Sequence, residues 1–457
     1  MKKSILLPLL MALAGAVVIP GQQSDVVIRL MQGERASIAV PDLRGADAAA
    51  VLMDEVNRTL FSELQDSGVF RMAPKSMYPT EVPQRPQDFV PPAPPARRGG
   101  QPVRRGPWLT DWSQPPVNAN YLTVGYAAEQ SGRLVLFGWL FNVNQPNLSN
   151  AQVFGKLYFG GLNQDGARKV AREFAADILA QFGHESLVGS KIYFVSDRSG
   201  AKEIWGMDYD GSKQRQITHY GSTSIFPAVS PDGTKLLFTT YVDVVPKLYM
   251  HSLETGRRLP FYNQEASMNG MAEFSPDGQK IYFSSTASGK YAQIYSCNLN
   301  GSGLKRITYT KAIEVEPTVN PKNPNELVWV SGRSGLPQIY KMNVNGTNVA
   351  RLSTGEGEAV NPSWHPDGQH IAFSWTRGYD PGNYNVFIMD VATREYVQLT
   401  HGAGRNENPV WAPDGRHLVF SSNRSGSTQI WTMLGDGTQL RQLTTQGNNE
   451  KPVWSRH

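Results

Sequence analysis

The stretch NPVWAPDGRHLVFSSNRSGSTQIW, residues 408–431, contains two turn signals, P-D-G and N-R-S-G, each followed by an apolar run. Proline fixes φ, aspartate bonds the backbone of its own turn and glycine takes positive φ, so P-D-G ends one strand and launches the next. The same grammar recurs as PAVSPDGTKLLFTT from Pro227, AEFSPDGQKIYFSS from Ala272, PTVNPKNPNELVWV from Pro317, PSWHPDGQHIAFSW from Pro362 and a truncated PVWSRH from Pro452. The turn prolines Pro231, Pro276, Pro321, Pro366 and Pro413 are 45, 45, 45 and 47 residues apart, and Arg456 takes the equivalent place 43 residues later. A period of this size, with about four strands per unit, marks the blades of a propeller.

Each unit reads as a short inner strand, a P-D-G turn, an alternating second strand (KLLFTT, KIYFSS, HLVFSS), a turn such as DRSG, GRSG or NRSG, a third strand (QIYSCN, QIWTML) and an outer R-Q-L-T strand. The array opens at Lys191 without an inner strand and closes with an inner strand at Trp454 that has nothing after it. The last strand is therefore expected to complete the first blade, giving six blades and no open edge. Asp232, Asp277, Asp367 and Asp414 resemble a carboxylate array, but their place in the turn accounts for them without catalysis.

At 457 residues the chain exceeds one ordinary core, and its 43 glycines and 31 prolines favour a turn-rich, largely β protein. A net charge of +5 calls for no nucleic-acid partner. Residues 1–21 read as a signal peptide, with Lys2 and Lys3 ahead of an apolar stretch and an Ala14-Gly15-Ala16 exit. No later run is long enough to span a bilayer, so export and release in soluble form are expected. Cys297 is the only cysteine and reads as a small buried filler.

Residues 25–185 follow a different grammar, that of an α/β domain. SIAVPDL (37–43) reads as a strand, Val51, Leu52, Val56, Leu60 and Leu64 as a helical stripe stopped at Gly68, and VFRMA as a second strand. YLTVGYAAEQ, RLVLFGWLFNV and QVFGKLYFG alternate like three antiparallel strands, and Val170, Phe174, Ile178, Leu179 and Phe182 form the stripe of a last helix. The segment 78–108 interrupts this domain with nine prolines and with Arg97, Arg98, Arg104 and Arg105. Its composition predicts a solvated, extended spacer rather than a grip on an anionic surface. The whole is thus an α+β chain, an N-terminal α/β domain at 25–185 followed by a six-bladed β-propeller at 190–457.

The loops leading into the inner strands crowd around a central channel. They carry Met268, Asn269, Met271, Glu314, Glu316, Glu358, Asn361, Arg405, Asn406, Asn408 and Glu450, a polar rim with adaptable Met contacts that suits protein recognition. An enzyme reading fares worse. No serine sits in a G-x-S-x-G elbow, the eight histidines contain no H-E-x-x-H, and His365 takes the serine place in its turn. A lactonase-like, metal-dependent hydrolase would need Glu316, Glu358 and Asn361 to converge on one ion. No cofactor, metal site or catalytic residue is assigned.

An α/β domain of about 160 residues followed by these repeats, ending in P-V-W-S plus two residues, resembles the TolB family of the Tol-Pal system. The likeness rests on DVVIRLMQGERASIAVPDL (25–43), SGVF (67–70), YLTVG from Tyr121 and KIYFVSDRSG from Lys191. The sequence departs from the family pattern at the proline-rich insertion, at PKNPNE in place of P-D-G, and at Leu43 in place of phenylalanine. The resemblance implies a periplasmic, non-enzymatic monomer. It would bind a Pal-like lipoprotein at the propeller mouth and a TolA-like protein through Asp25, Val26, Val27, Ile28 and Arg29, supporting envelope integrity and constriction at division.

Overall fold

The computed structural model describes residues 35–94 and 103–456. The signal-peptide reading at 1–21, the segment Asp25, Val26, Val27, Ile28 and Arg29, and Arg97 and Arg98 lie outside the described residues. In the first domain, strands β1 (Ser37–Ala39), β2 (Arg44–Gly45), β3 (Arg71–Met72), β4 (Tyr121–Gln130), β5 (Arg133–Asn142) and β6 (Gln152–Gly161) form one sheet of order β3-β1-β4-β5-β6, with β2 alongside β4. The short first strands run parallel, and β4, β5 and β6 form an antiparallel meander.

Helices α1 (Met53–Asp66) and α2 (Gln164–Gln181) cover one face. Period-2 alternation turns Leu134, Leu136 and Leu140 toward that side, where they meet Val56, Leu60, Val170, Phe174 and Ile178 in one core. Asn163 caps α2 by accepting from the Gly166 N–H at 2.8 Å. Val51 departs from the expected stripe: it lies in a 3₁₀ turn ahead of α1 and is 79% exposed.

The opposite face of the sheet corrects the spacer reading of 78–108 in part: Phe89 is buried there, while Val90, Pro91, Pro92, Arg104 and Arg105 stay exposed. Phe89, Leu109 and Trp112 are buried against Leu122, Val124 and Phe141, with Tyr78, Val82 and Trp108 packed around them. Phe89 tilts against Phe141 at 5.2 Å and meets Trp108 edge-on at 6.5 Å, while Tyr78 meets Trp112 edge-on at 5.3 Å. The described parts of the insertion are tied together by an Ala93–Val103 bridge, and Arg104 pairs with Asp111 at 2.9 Å. A few large aromatics supply the burial, while the prolines around them reduce the entropy lost on ordering.

The remainder is a ring of six four-stranded antiparallel sheets. The turn reading of the aspartates holds. Asp232 accepts from Ser230 Oγ and from the Thr234 N–H, and Asp277 accepts likewise from Ser275 Oγ and the Gln279 N–H. In the copy without P-D-G, Asn320 Oδ1 accepts from the Lys322 and Asn323 N–H groups instead. Cys297 is buried in a blade, and burial pushes its thiol up to about 12. The ring closes as the repeat phase requires: the last strand, Asn449–Trp454, pairs antiparallel with Lys191–Ser199, Asn449 opposite Ser196 and Trp454 opposite Ile192. The Trp454 indole packs with Ile192, Phe194 and Leu443 and donates to Ser190 Oγ at 2.9 Å.

Among the described residues, every hydrogen bond and ion pair between the domains lies at the propeller end that carries the P-D-G turns. Arg416 donates to the carbonyls of Ser67 and Gly68, and His417 Nε2 lies 2.8 Å from the Asp66 carbonyl. Arg172 pairs with Glu63 and Asp210, and Tyr209 donates to Glu63. The Arg416 guanidinium and the His417 imidazole thus take up carbonyls left unpaired at the C-terminal end of α1, where the helix dipole favours positive charge. Burial alone would lower the pKa of His417. The Asp414 carboxylate, 2.6 Å from Nδ1, and the Asp66 carbonyl outweigh it and hold the imidazole above its ordinary value, despite the opposing Arg416.

Two outcomes follow. Trp454→Ala is expected to lower the unfolding free energy by about 3–5 kcal/mol in a denaturant titration, because it hollows the closing blade. His417→Gln is expected to cost about 1–2 kcal/mol in acid. Since the folded-state pKa is raised, the native histidine's contribution is complete below its ordinary pKa and fades as pH rises through the folded value. Thermal unfolding of both proteins across pH 5 to 9 should therefore show the gap narrowing at high pH.

Candidate functional site

The inner strands share one irregularity. Each pairs with its neighbour through a register shift at the same place, between Ile225 and Ala228, Gly270 and Glu273, Val315 and Thr318, Val360 and Ser363, Glu407 and Val410, and Glu450 and Val453. At each bulge one non-glycine residue takes φ between 51° and 55°: Phe226, Met271, Glu316, Asn361, Asn408 and Lys451. Such backbone costs roughly 1–3 kcal/mol per residue and persists only where the surroundings impose it. All six residues line the central cavity, which holds about 320 Å³.

Of the residues expected on the rim, Met271, Glu316, Asn361 and Asn408 fall in this ring. Glu316 accepts from the Asn361 N–H at 2.8 Å and from Asn361 Nδ2 at 3.1 Å. Burial in the wall raises its carboxyl above the ordinary range, against the pull of Lys451 and Asn361. Lys451 itself lies over the Phe226 ring, 4.3 Å from its centroid.

Met268, Glu358, Arg405 and Glu450 sit on the surrounding rim. The Tyr384 hydroxyl donates to Glu358, Arg405 pairs with Glu407 at 2.9 Å, and Lys202 pairs with Glu450 at 2.6 Å. Glu358 is not among the residues lining the cavity, so Glu316, Glu358 and Asn361 do not gather around one point as a lactonase-like centre requires.

Asn269, Glu314 and Asn406 occupy a different environment from the expected rim. Each is the first residue of an inner strand, and each is nearly or wholly inaccessible. Glu314 accepts from Trp329 Nε1, Ser331 Oγ, Thr310 Oγ1 and Arg333 Nη2. Asn406 accepts from Ser422 Oγ at 2.8 Å and Arg424 Nη2 at 2.6 Å, and Asn269 Nδ2 donates to the Gln264 carbonyl at 2.8 Å. These side chains hold the mouth in shape instead of facing outward.

The pattern explains the R-S-G turns. Arg198, Arg333 and Arg424 each reach the first residue of an inner strand, Asn449, Glu314 and Asn406, while donating through Nε to Ser196, Ser331 and Ser422. Their guanidinium groups stack over Trp205, Trp329 and Trp431.

Three channel residues escaped the sequence reading. Phe226 and Lys451 stand in the ring, immediately before the P-x-x proline, and that position is the signal that finds them. Glu273 lies one layer deeper and accepts from Thr318 Oγ1 at 2.9 Å, and burial pushes its carboxyl up to about 7.

The chain thus falls in the class of closed six-bladed propellers joined, at the end that carries the P-D-G turns, to a small α/β domain. A family model described as the TolB beta propeller domain matches residues 183–378 and 355–457, and the chain belongs to that family. The Protein TolB homolog of Chlorobium chlorochromatii is 32% identical over 226 residues, 48% of this chain and 47% of that protein. The homolog of Chlorobium luteolum is 30% identical over 224 residues, 49% of each. The chain spans about half the length of the curated relatives it matches. The crystal structure of TolB from Acinetobacter baumannii has a TM-score of 0.74 at 20% identity, covering 93% of this chain and 97% of that one, so the two share the two-domain fold. No helix among the described residues is long and apolar enough to cross a membrane.

Glu314→Ala is expected to lower stability by about 3–5 kcal/mol in urea unfolding, since Arg333 and the Trp329 indole lose their shared acceptor. Glu316→Gln, facing the open cavity, should change it by less than about 1 kcal/mol.

Proposed function

We propose that this chain is a periplasmic, monomeric docking protein of a Tol-Pal-type envelope system and not an enzyme. It receives a Pal-like lipoprotein at the channel mouth and a TolA-like protein at its N-terminal segment, and through them supports outer-membrane integrity and constriction at division. The observation that carries the reading is the polarity of the ring. The α/β domain is fastened to the P-D-G end, toward which the cavity extends from the bulge ring, and the opposite end, rimmed by Met268, Glu358, Arg405 and Glu450, carries no hydrogen bond to that domain among the described residues.

The surface offered there is graded in a way that suits a protein ligand. Met268 and Met271 supply adaptable apolar contact, while Glu316, Asn361 and Asn408 supply hydrogen bonds within a concave recess. Glu358, Arg405 and Glu450 form a charged rim, whose substitution is expected to alter the association rate more than the dissociation rate. For the second partner, the alternation of Asp25, Val26, Val27, Ile28 and Arg29 suits addition to a sheet edge.

Capture from a solubilised envelope extract tests both contacts. The mature protein should retain a peptidoglycan-associated lipoprotein and a TolA-like protein. Met271→Asp combined with Glu316→Lys should weaken capture of the first at least about tenfold, as befits the loss of a central contact, and spare the second. Deleting residues 22–29 should do the reverse. Recovery of neither partner by the intact protein after crosslinking contradicts the assignment.

A further inference from the structure

The fourth inner strand, Ala359–Trp364, ends in the turn HPDGQH, residues 365–370, and its chemistry differs from that of the sibling turns. Where His365 stands, the equivalent turns carry Ser230, Ser275, Asn320 and Ala412. His365 Nδ1 lies 3.0 Å from Asp367 Oδ1, and His370 Nδ1 lies 2.7 Å from Asp367 Oδ2. One ligand atom from each of these three residues falls within 4.8 Å of the others. Both imidazoles are nearly inaccessible, while the Asp367 side chain keeps 29% of its surface open to solvent.

The far side of each ring completes the pattern. His365 Nε2 lies 2.7 Å from the Gly415 carbonyl, so Nε2 carries the proton and Nδ1 a lone pair. That lone pair accepts from the Asp367 N–H at 3.1 Å and also faces Asp367 Oδ1 at 3.0 Å, a close approach of two acceptors that a cation bound beside them relieves. His370 Nε2 is buried without a hydrogen bond and is directed at Asp390 Oδ2, 3.8 Å away. A metal-ligating histidine commonly turns its other N–H toward a backbone carbonyl or a carboxylate; His365 makes the first of these contacts, and His370 Nε2 lies near a carboxylate without bonding it. The His365 ring is further fixed by edge-on contact with Trp411 at 4.6 Å, and positive φ at Gly415 lets its carbonyl approach without a Cβ in the way.

We propose that His365, Asp367 and His370 bind a borderline divalent transition-metal ion of the Zn²⁺ class, through two Nδ1 atoms and one carboxylate. Bonds of about 2.0–2.2 Å set neighbouring ligands of a tetrahedral ion roughly 3.3–3.6 Å apart, so three ligand atoms now within 4.8 Å of one another reach that geometry by side-chain shifts alone. Two imidazoles disfavour Ca²⁺ and Mg²⁺, which take oxygen ligands. The exposed side of Asp367 leaves the fourth position to water. The next turn is an internal contrast: His417 and Asp414 repeat the pair, but Ala412 replaces the second imidazole.

The test is calorimetric titration of the tag-free, chelator-stripped full chain with ZnCl₂, with Co²⁺ absorption bands as a second readout. One ion per chain is expected. His365→Ser restores the residue that sibling turns carry. It should keep the native circular dichroism and melting transition while weakening Zn²⁺ by more than about tenfold, and Asp390→Asn should weaken it by about tenfold through His370. If the wild type takes up no Zn²⁺, or if His365→Ser binds it as tightly as the wild type, the proposal fails and the cluster is a proton-sharing network within the turn.

Discussion

The pairing of the strand Asn449–Trp454 with the strand that opens the array is the constraint on which the rest depends. A ring of sheets left open would expose an inner and an outer edge, and its channel would have no fixed radius. Once the ends are joined, six inner strands are forced side by side, and each relieves the crowding at the same point with a bulge. The six residues at positive φ follow from that shared kink, so the ring of side chains at the mouth is a consequence of closure and not of any one residue's preference. The arginines of the R-S-G turns then lock the first residue of three inner strands, which makes the rim a rigid frame.

Much of this was legible because turn chemistry is local. Pro, Asp and Gly at fixed offsets carry their own conformational reasons, so blade number, strand order and ring closure could be read from the phase of the repeat. The bulge was not legible. A strict two-residue alternation runs straight through it, and only the tertiary ring decides that Phe226 and Lys451 join Met271, Glu316, Asn361 and Asn408 in the cavity wall. The same blindness placed Glu314 and Asn406 on the surface. A polar residue leading into a strand reads as exposed, and nothing in its own neighbourhood announces that an arginine 18 or 19 residues on will bury and satisfy it.

The insertion in the first domain shows a further limit of composition. Its proline and arginine content argued for a solvated spacer, yet Phe89, Trp108 and Trp112 cover one face of the sheet while the helices cover the other. Three aromatics among many prolines weigh little in an average and a great deal in a core, because each buries a large apolar area at small entropic cost. The sheet is thereby buried on both sides near the insertion. Cations held at the C-terminal end of α1 fasten this domain to the propeller end away from the mouth.

The account turns on the claim that the open mouth, and not the fastened end, is where a partner docks. Hydrogen–deuterium exchange of the protein with and without the soluble domain of a peptidoglycan-associated lipoprotein tests this most directly. Added protection confined to the starts of the inner strands, around residues 268–271, 314–316, 358–361 and 405–408, is the predicted result. Protection confined to the P-D-G turns and the end of α1, with the mouth unchanged, would contradict it.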